Sequence, residues 1–304
     1  MQTPDSALLG IVPSMNTPFL QDGAVDLESI GRCTERTIGA GVSGMLILAV
    51  AGETASLDRD EKRLVAETFL RHTAHRVPLI VGCSSASQPE RIALAAMARE
   101  LGAEAMLCQV PDGLRGAALV AQMRELAQVG PPLLMLQDLD FGGQGLPLED
   151  IVLLGVQIEA FRCLKIEVAM SGPKYSAVLE AMPGRLQVSG GWAAAQMMEA
   201  LHRGVHAFIP TAMDTIYVQI FRLFANGQTD AARELQAQLA PVLAFSNQHI
   251  GVSIRFFKHL RQREGVFRTA VCRNGVPELD AHQMRELEAN IERVLRLQDE
   301  LRAR

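Results

Sequence analysis

Long apolar runs, an excess of basic residues and an export signal are all absent from the 304-residue sequence. The longest apolar run, Met45 to Ala51, is far shorter than the roughly 18 residues that a membrane-spanning helix requires. The 29 basic and 34 acidic side chains give a formal charge of −5, so neither nucleic acid nor an anionic membrane is an expected partner. The first residues show no basic segment followed by an apolar stretch, so no signal peptide is predicted.

Cysteine and lysine are also scarce. The five cysteines are an odd number at wide spacing, which predicts reduced thiols in a cytoplasmic protein and not a disulfide framework or a zinc site. Only four of the 29 basic residues are lysines, at positions 62, 165, 174 and 258. A lysine inside an apolar segment therefore requires its own explanation.

Short apolar segments alternate with amphipathic helical patterns eight times along the chain. The short segments are apolar throughout, which is typical of parallel strands covered on both faces. This alternation predicts an α/β protein, and its length favours a closed (β/α)8 TIM barrel over residues 1–227. Residues 228–304 show helical patterns only, so we expect a C-terminal helical extension. The predicted strands are Leu8–Ser14, Ser43–Val50, Val77–Cys83, Ala105–Gln109, Pro132–Gln137, Phe161–Glu167, Leu186–Ser189 and Val205–Ile209.

Lys165 lies inside the predicted sixth strand, near the carboxyl end, where TIM barrels carry their active sites. Because side chains alternate along a strand, Cys163, Lys165 and Glu167 share one face. Burial lowers the pKa of a lysine, since it disfavours the charged form, and a neutral amine can attack a ketone to form a Schiff base. The same pair could instead be a structural ion pair at the top of the barrel. Spacing alone leaves both interpretations open.

The other candidate sites carry weaker signals. The Gly190-Gly191 pair is predicted to lead into a helix at Trp192, where free backbone N–H groups could hold a carboxylate or phosphate; a plain tight turn is the alternative. The histidines lack metal-ligand spacing, and the Gly-rich residues 142–145 lack dinucleotide-binding spacing. Neither a metal nor an organic cofactor is therefore implied.

Two segments near the N-terminus carry a recognisable pattern. Residues 10–19 read GIVPSMNTPF, and residues 52–63 read G-E-x3-L-x3-E-x-R. Together with Lys165 they resemble the dihydrodipicolinate synthase and N-acetylneuraminate lyase superfamily, which are class I, Schiff-base-forming lyases. The resemblance implies a TIM barrel, a small 2-keto acid substrate and Lys165 as the Schiff-base lysine. It also implies a homo-oligomer, which we expect to be a tetramer.

Several residues depart from that family pattern. The family usually has a threonine pair before Gly-Glu, where Val50-Ala51 stands here, and a tyrosine at the end of strand 5, where Gln137 stands. The paired tyrosines after strand 4 and the arginine after strand 5 are replaced by residues 109–112 and 141–143. Because its tyrosines are missing, the usual proton relay is not expected to operate.

The altered residues resemble one branch of the superfamily. Gln137-Asp138, Lys165-x-Glu167 and the segment 273–280 are similar to the 2-keto-3-deoxy sugar-acid dehydratases, the L-2-keto-3-deoxyarabonate dehydratases above all. In that branch an iminium at C2 acidifies the C3 protons, a base removes one, and an acid assists loss of the C4 hydroxyl. The resemblance implies that Glu167 serves as both base and acid.

The expected site therefore combines two catalytic side chains with a set of binding residues. Lys165 forms the Schiff base and Glu167 transfers protons, while backbone groups of Val50 and Ala51 bind the substrate carboxylate. The pocket is expected to be completed by Gln137, Asp138, Gly190 and Gly191. Two alternatives stay open: a pyruvate-releasing aldolase or synthase-like enzyme, and a degenerate member that binds a keto acid without turnover.

Overall fold

A computed structural model of the chain describes residues 8–191, 194–273 and 275–303. Eight parallel strands form one sheet in the order β1-β8-β7-β6-β5-β4-β3-β2. The two ends of this order meet, because Ser14 forms a parallel bridge with Leu46 and the Leu46 N–H donates to the Pro13 carbonyl at 2.9 Å. The predicted (β/α)8 barrel is confirmed. The strands are β1 Gly10–Ile11, β2 Met45–Ile47, β3 Leu79–Gly82, β4 Ala105–Gln109, β5 Leu133–Asp140, β6 Phe161–Val168, β7 Gln187–Gly190 and β8 Ala207–Phe208.

A helix follows each strand and covers the outside of the barrel. Local sequence explains where helix α2 begins. The Asp58 side chain accepts a hydrogen bond from the Glu61 N–H, and the Glu61 side chain accepts one from the Asp58 N–H. This reciprocal pair is a capping box. The helices of the barrel are α1 Leu27–Gly39, α2 Arg59–Thr73, α3 Gln88–Glu100, α4 Gly116–Val129, α5 Leu148–Gln157, α6 Ser171–Ala181, α7 Met197–His202 and α8 Asp214–Ala225.

Except for β4, the strands begin or end one to three residues away from the predicted positions, and two boundary differences lie near the site. Strand β5 continues past Gln137 to Asp140, because it pairs with the extended β6 through Asp140 and Val168. Helix α7 begins at Met197 and not at residue 192, since Ala194 has a left-handed φ of +57° that a right-handed helix cannot include. The predicted helix start at Trp192 itself lies outside the described residues.

After the eighth unit the chain continues as helices: α9 Thr229–Gln238, α10 Ala240–Ser246, α11 Ile250–Arg263 and α12 Ala281–Arg302. Helix α12 packs against α8, α10 and α11, and α11 also contacts the turn Val50–Gly52 after β2. Buried side chains of α11 and α12 belong to the same apolar cluster as those of the barrel helices. We therefore propose that residue 227 marks the end of the β/α units and the start of a purely helical part, and that both parts share one apolar core.

The interior of the barrel contains a second apolar cluster, which includes Val12, Leu46, Met135 and Cys163. Because Cys163 points into this interior, the alternation of β6 directs Lys165 and Glu167 inward as well. Both lie beyond the interior apolar cluster, toward the carboxyl ends of the strands. The sheet thus positions two charged side chains at the carboxyl-terminal mouth of the barrel. Within the described ranges, no helix is long and apolar enough to cross a bilayer.

Candidate active site

A cavity of about 450 Å³ opens at the carboxyl ends of the strands. Its walls include Val50 and Ala51 after β2, Gln137 on β5, and Lys165 and Glu167 on β6. The connection from α10 to α11 completes the rim with residues 246–250. The helical extension therefore contributes directly to the site, which the sequence patterns did not indicate.

Lys165 and Glu167 form the centre of this cavity. The Lys165 ammonium nitrogen lies 2.8 Å from Glu167 Oε2, and the two side chains are only 8% and 9% exposed. The register of β5 against β6 places Gln137 opposite Lys165, and its amide Nε2 donates to the same Glu167 oxygen. The structural ion pair considered above is present. Both side chains also line the cavity, so the pair borders open space and is not enclosed by protein on all sides.

The turn Val50–Gly52 forms one wall of the cavity. Its carbonyls are occupied by side chains from the β1–α1 loop: Asn16 Nδ2 donates to the Ala51 carbonyl and Thr17 Oγ1 to the Gly52 carbonyl, both at 2.7 Å. Val50 and Ala51 are the first residues of a 3-10 turn, so their N–H groups have no acceptor inside it. The β1–α1 loop thus supports the turn through its carbonyl groups.

Asp138 is not brought together with the other predicted site residues. It follows Gln137 directly in β5, so its side chain leaves the opposite face of the strand. There it pairs with the Lys174 ammonium and accepts the Leu146 N–H at 2.9 Å. Asp138 therefore fixes the β5–α5 loop against α6, and the Lys165 cavity lies on the other side of the sheet.

Gly190 and Gly191 do not line the cavity of Lys165 but a smaller neighbouring one of about 190 Å³, which shares Glu167 as a wall. A Cβ atom on Gly191 would overlap the Glu167 carboxylate, and one on Gly190 would lie 3.0 Å from the Tyr175 hydroxyl. The absence of side chains at these two positions leaves the room that Glu167 and Tyr175 occupy.

Tyr175 is a residue of this region that the sequence patterns missed. It projects from α6 into the smaller cavity beside Glu167, with its hydroxyl 3.4 Å from the Ile166 carbonyl. Burial raises the pKa of Tyr175 to about 12, and the carboxylates of Glu167 and Glu199 act in the same direction. It is one of only two tyrosines in the chain, and that rarity is the signal that could have marked it.

The described part of the chain contains no group of three or more His, Cys, Asp and Glu side chains arranged to hold a metal ion. All five cysteines are free. Burial raises the pKa of both Cys108 and Cys163 to about 12, which keeps them as thiols and not as thiolate ligands. The described residues that line the cavity thus offer an amine, a carboxyl group, the His249 imidazole, and hydroxyl and amide groups.

Comparison with known proteins decides the family. Residues 7–294 match the model of the Dihydrodipicolinate synthetase family. The chain belongs to that family. The resemblance stated from the sequence motifs is confirmed, and members of the family are lyases that act on small keto acids. A crystal structure of dihydrodipicolinate synthase from Rhodopseudomonas palustris shares the fold, with a TM-score of 0.84 and 22% identity over 94% of this chain and 97% of that one.

Two relatives of this dihydrodipicolinate synthetase family member carry different activities in their names. L-2-keto-3-deoxyarabonate dehydratase from Azospirillum brasilense is 28% identical over 91% of this chain and 92% of its own length. 4-Hydroxy-tetrahydrodipicolinate synthase from Xanthomonas campestris pv. campestris is 29% identical over 79% of this chain and 80% of its own. Because the identities are nearly equal, the side chains of the site must distinguish the two reactions.

Proposed function

We propose that this lyase forms a Schiff base between Lys165 and a 2-keto acid, and that it dehydrates a 2-keto-3-deoxy sugar acid. The observation that supports the proposal is the composition of the cavity. Among the described residues that line it, Glu167 is the only carboxylate and Lys165 the only amine, and neither tyrosine nor arginine occurs. Of the groups that could transfer a proton, Glu167 lies directly beside the nucleophile, whereas His249 is on the rim, where its Nδ1 accepts the Gly251 N–H at 3.0 Å.

The first half of the reaction uses the short distance between the two side chains. Glu167, 2.8 Å from the amine, accepts a proton from Lys165, whose nitrogen then attacks the C2 carbonyl. Glu167 and the amine then deliver two protons to the C2 oxygen, which leaves as water, so that the iminium retains one N–H and Glu167 is again a carboxylate. The N–H groups of Val50 and Ala51 hold the substrate carboxylate, which orients C2 toward the amine.

The second half requires one proton to leave C3 and one to reach the C4 hydroxyl. Glu167 removes the C3 proton, and the electron pair moves toward the iminium nitrogen to give an enamine. The protonated Glu167 then donates to the C4 hydroxyl, which departs as water while the enamine electrons form the C3–C4 double bond. The intermediate at this stage is an unsaturated iminium, which loses a proton from C5 and gains one at C3, so that the double bond moves to C4–C5 and carries the C5 hydroxyl as an enol. Hydrolysis by water then releases Lys165, and the enol becomes the second carbonyl of the product. Gln137 keeps the Glu167 carboxylate oriented, because its side-chain amide donates a hydrogen bond to that carboxylate.

The site disfavours the two competing reactions. Aldol cleavage requires a base for the C4 hydroxyl proton, and Gln137 occupies the position of the family's strand-5 tyrosine, where an amide cannot accept that proton. Condensation with a second carbonyl substrate requires a group to hold it, and the segment after β5 supplies Phe141-Gly142-Gly143 in place of an arginine. Dehydration needs neither.

Product analysis tests the proposed reaction. We expect a 2-keto-3-deoxy pentonate to lose one water and give a semialdehyde, and a hexonate to give the corresponding diketone, with little pyruvate in either case. Mass spectrometry and a carbonyl-specific reagent measure these products. Stoichiometric pyruvate would support the aldolase alternative instead. An adduct at Lys165 without product from any substrate would indicate a keto-acid-binding protein.

We also propose that the enzyme is cytoplasmic and assembles into a homo-oligomer, a tetramer. Its five free cysteines fit a reducing compartment. Met170 and Val156, with 76% and 74% of their surface exposed, are large apolar side chains that a subunit interface would cover. Light scattering at micromolar concentration should give four times the mass of the chain. A monomer mass would contradict the assembly but not the chemistry.

A further inference from the structure

Lys258 is the lysine that the proposed chemistry leaves unexplained. It lies on α11 with no exposed surface, and its ammonium group pairs with the Glu53 carboxylate. It also donates to the Val271 carbonyl at 2.9 Å and lies 4.0 Å from the centre of the Phe19 ring. Burial lowers the pKa of Lys258, and the Glu53 carboxylate opposes this effect.

Its partner Glu53 directly follows the turn Val50–Gly52, whose first two residues line the cavity. Glu53 has a left-handed φ of +54°, a conformation that surrounding contacts must impose on a residue with a side chain. The buried carboxylate supplies those contacts, because its second oxygen accepts the Arg273 N–H at 2.7 Å. The C-terminal end of the turn is thus fixed by α11 and by the segment that follows it.

Arg273 extends the same network to the surface. Its guanidinium lies 4.3 Å from the centre of the Phe19 ring and donates to the Ser56 carbonyl at 2.9 Å and to a carboxylate oxygen of Glu61 at 2.7 Å. Phe19 is therefore in contact with two cations that come from the C-terminal helical region. The β1–α1 loop, the β2–α2 segment, α11 and the chain after α11 meet at this point.

We propose that Lys258 is a positioning residue for the substrate carboxylate. Through Glu53 it holds the turn so that the N–H groups of Val50 and Ala51 face the cavity. The inference rests on the proposed function, in which those groups bind the carboxylate. Asn16 and Thr17 hold the carbonyls of the same turn, so the Lys258–Glu53 pair completes its support at the other end.

Loss of Lys258 acts on this turn in a defined way. It leaves the Glu53 carboxylate buried without its cation, which is strongly unfavourable, so Glu53 takes up a proton or moves toward water. Either change removes the contacts that hold Glu53, the residue after the turn, in its left-handed conformation. Because a displacement of about 1 Å can cost roughly 100-fold in a positioned contact, carboxylate binding is the first property to suffer.

The test compares two ligands that differ in the carboxylate charge and in one methyl group. Borohydride trapping at Lys165 is measured against the concentration of pyruvate and of methyl pyruvate, whose ester lacks the carboxylate charge. In Lys258→Met we expect the half-saturating pyruvate concentration to rise about 10- to 100-fold. The trapping rate at saturation and the dependence on methyl pyruvate should change less than about threefold. Lys62→Met removes an equal charge from the ion pair between Lys62 on α2 and Glu90 on α3, and this variant should behave as the wild type.

A double variant, Glu53→Gln with Lys258→Met, keeps the proposal testable if Lys258→Met alone fails to fold. It leaves no unpaired buried charge, yet it lacks the ion pair, so its half-saturating pyruvate concentration should stay raised. Equal losses with pyruvate and methyl pyruvate, or no loss in either variant, would overturn the role of Lys258. Absence of any wild-type adduct would instead overturn the proposed function, and the inference would fall with it.

Discussion

Replacement of Lys165 by alanine should abolish both the reducible adduct and turnover. The wild-type enzyme, treated with borohydride and pyruvate or a 2-keto-3-deoxy acid, should gain the mass of the reduced adduct on the peptide that contains Lys165. In Lys165→Ala no other amine lines the described part of the cavity. Turnover should fall by at least roughly 10⁴-fold, since removal of a covalent nucleophile leaves binding alone.

Lys174→Arg provides the matched control for this result. Lys174 lies on α6, and its ammonium is engaged with Asp138 and with the Leu146 carbonyl at 2.7 Å. Arginine preserves that charge, so the variant should keep both the adduct and turnover. Peptide mapping that locates the wild-type adduct on Lys174, or finds none, would refute the Schiff-base mechanism.

The central pair could be predicted from sequence because it depends on one strand alone. Lys165 and Glu167 are two residues apart, and the period of two along a strand places them on the same face whatever surrounds them. Both faces of β6 carry apolar residues, so the sequence left open which face points into the barrel, and the structure places the face of Cys163 inward. The eightfold alternation predicted the barrel for a similar reason, since each β–α unit is recognisable locally.

The same rule explains why Asp138 did not join the site. Its neighbour Gln137 faces the cavity, so the next residue of β5 must face away, and there Lys174 neutralises its charge. The motif of two adjacent residues predicts both of them in the site, whereas strand alternation allows only one of them to face the cavity. The position of Asp138 is therefore a consequence of strand geometry that the sequence already contained.

Residues that act across long sequence separations escaped prediction. Lys258 meets Glu53, and nothing local to either residue indicates the other. Tyr175 reaches Glu167 only because Gly190 and Gly191 leave space between β7 and α6. Such contacts depend on how the helices pack on the barrel, and periodicity within one element carries no information about them.

Glu167→Gln should separate adduct formation from dehydration. Glutamine has nearly the same shape and can still hydrogen-bond to the Lys165 amine and to Gln137. It cannot accept the C3 proton or deliver one to the C4 hydroxyl. We expect the variant to retain a borohydride-trapped adduct at Lys165, formed more slowly because the amine loses its proton acceptor, while turnover falls by roughly 10²–10⁴-fold.

Exchange at C3 measures the missing step directly. In deuterium oxide, wild-type enzyme should replace the C3 protons of bound pyruvate, because Glu167 removes and returns them through the enamine, and Glu167→Gln should exchange them at least roughly 10²-fold more slowly. Gln137→Leu, which keeps the Glu167 carboxylate and removes only its amide donor, should lose far less of both exchange and turnover.

A Glu167→Gln enzyme that still dehydrates its substrate would show that another group carries the protons. Tyr175, whose hydroxyl lies on the far side of Glu167, would then be the residue to replace. If exchange is lost along with turnover while the adduct remains, a single carboxylate performs both proton transfers, which is the feature that allows this barrel to work without the tyrosines of its relatives.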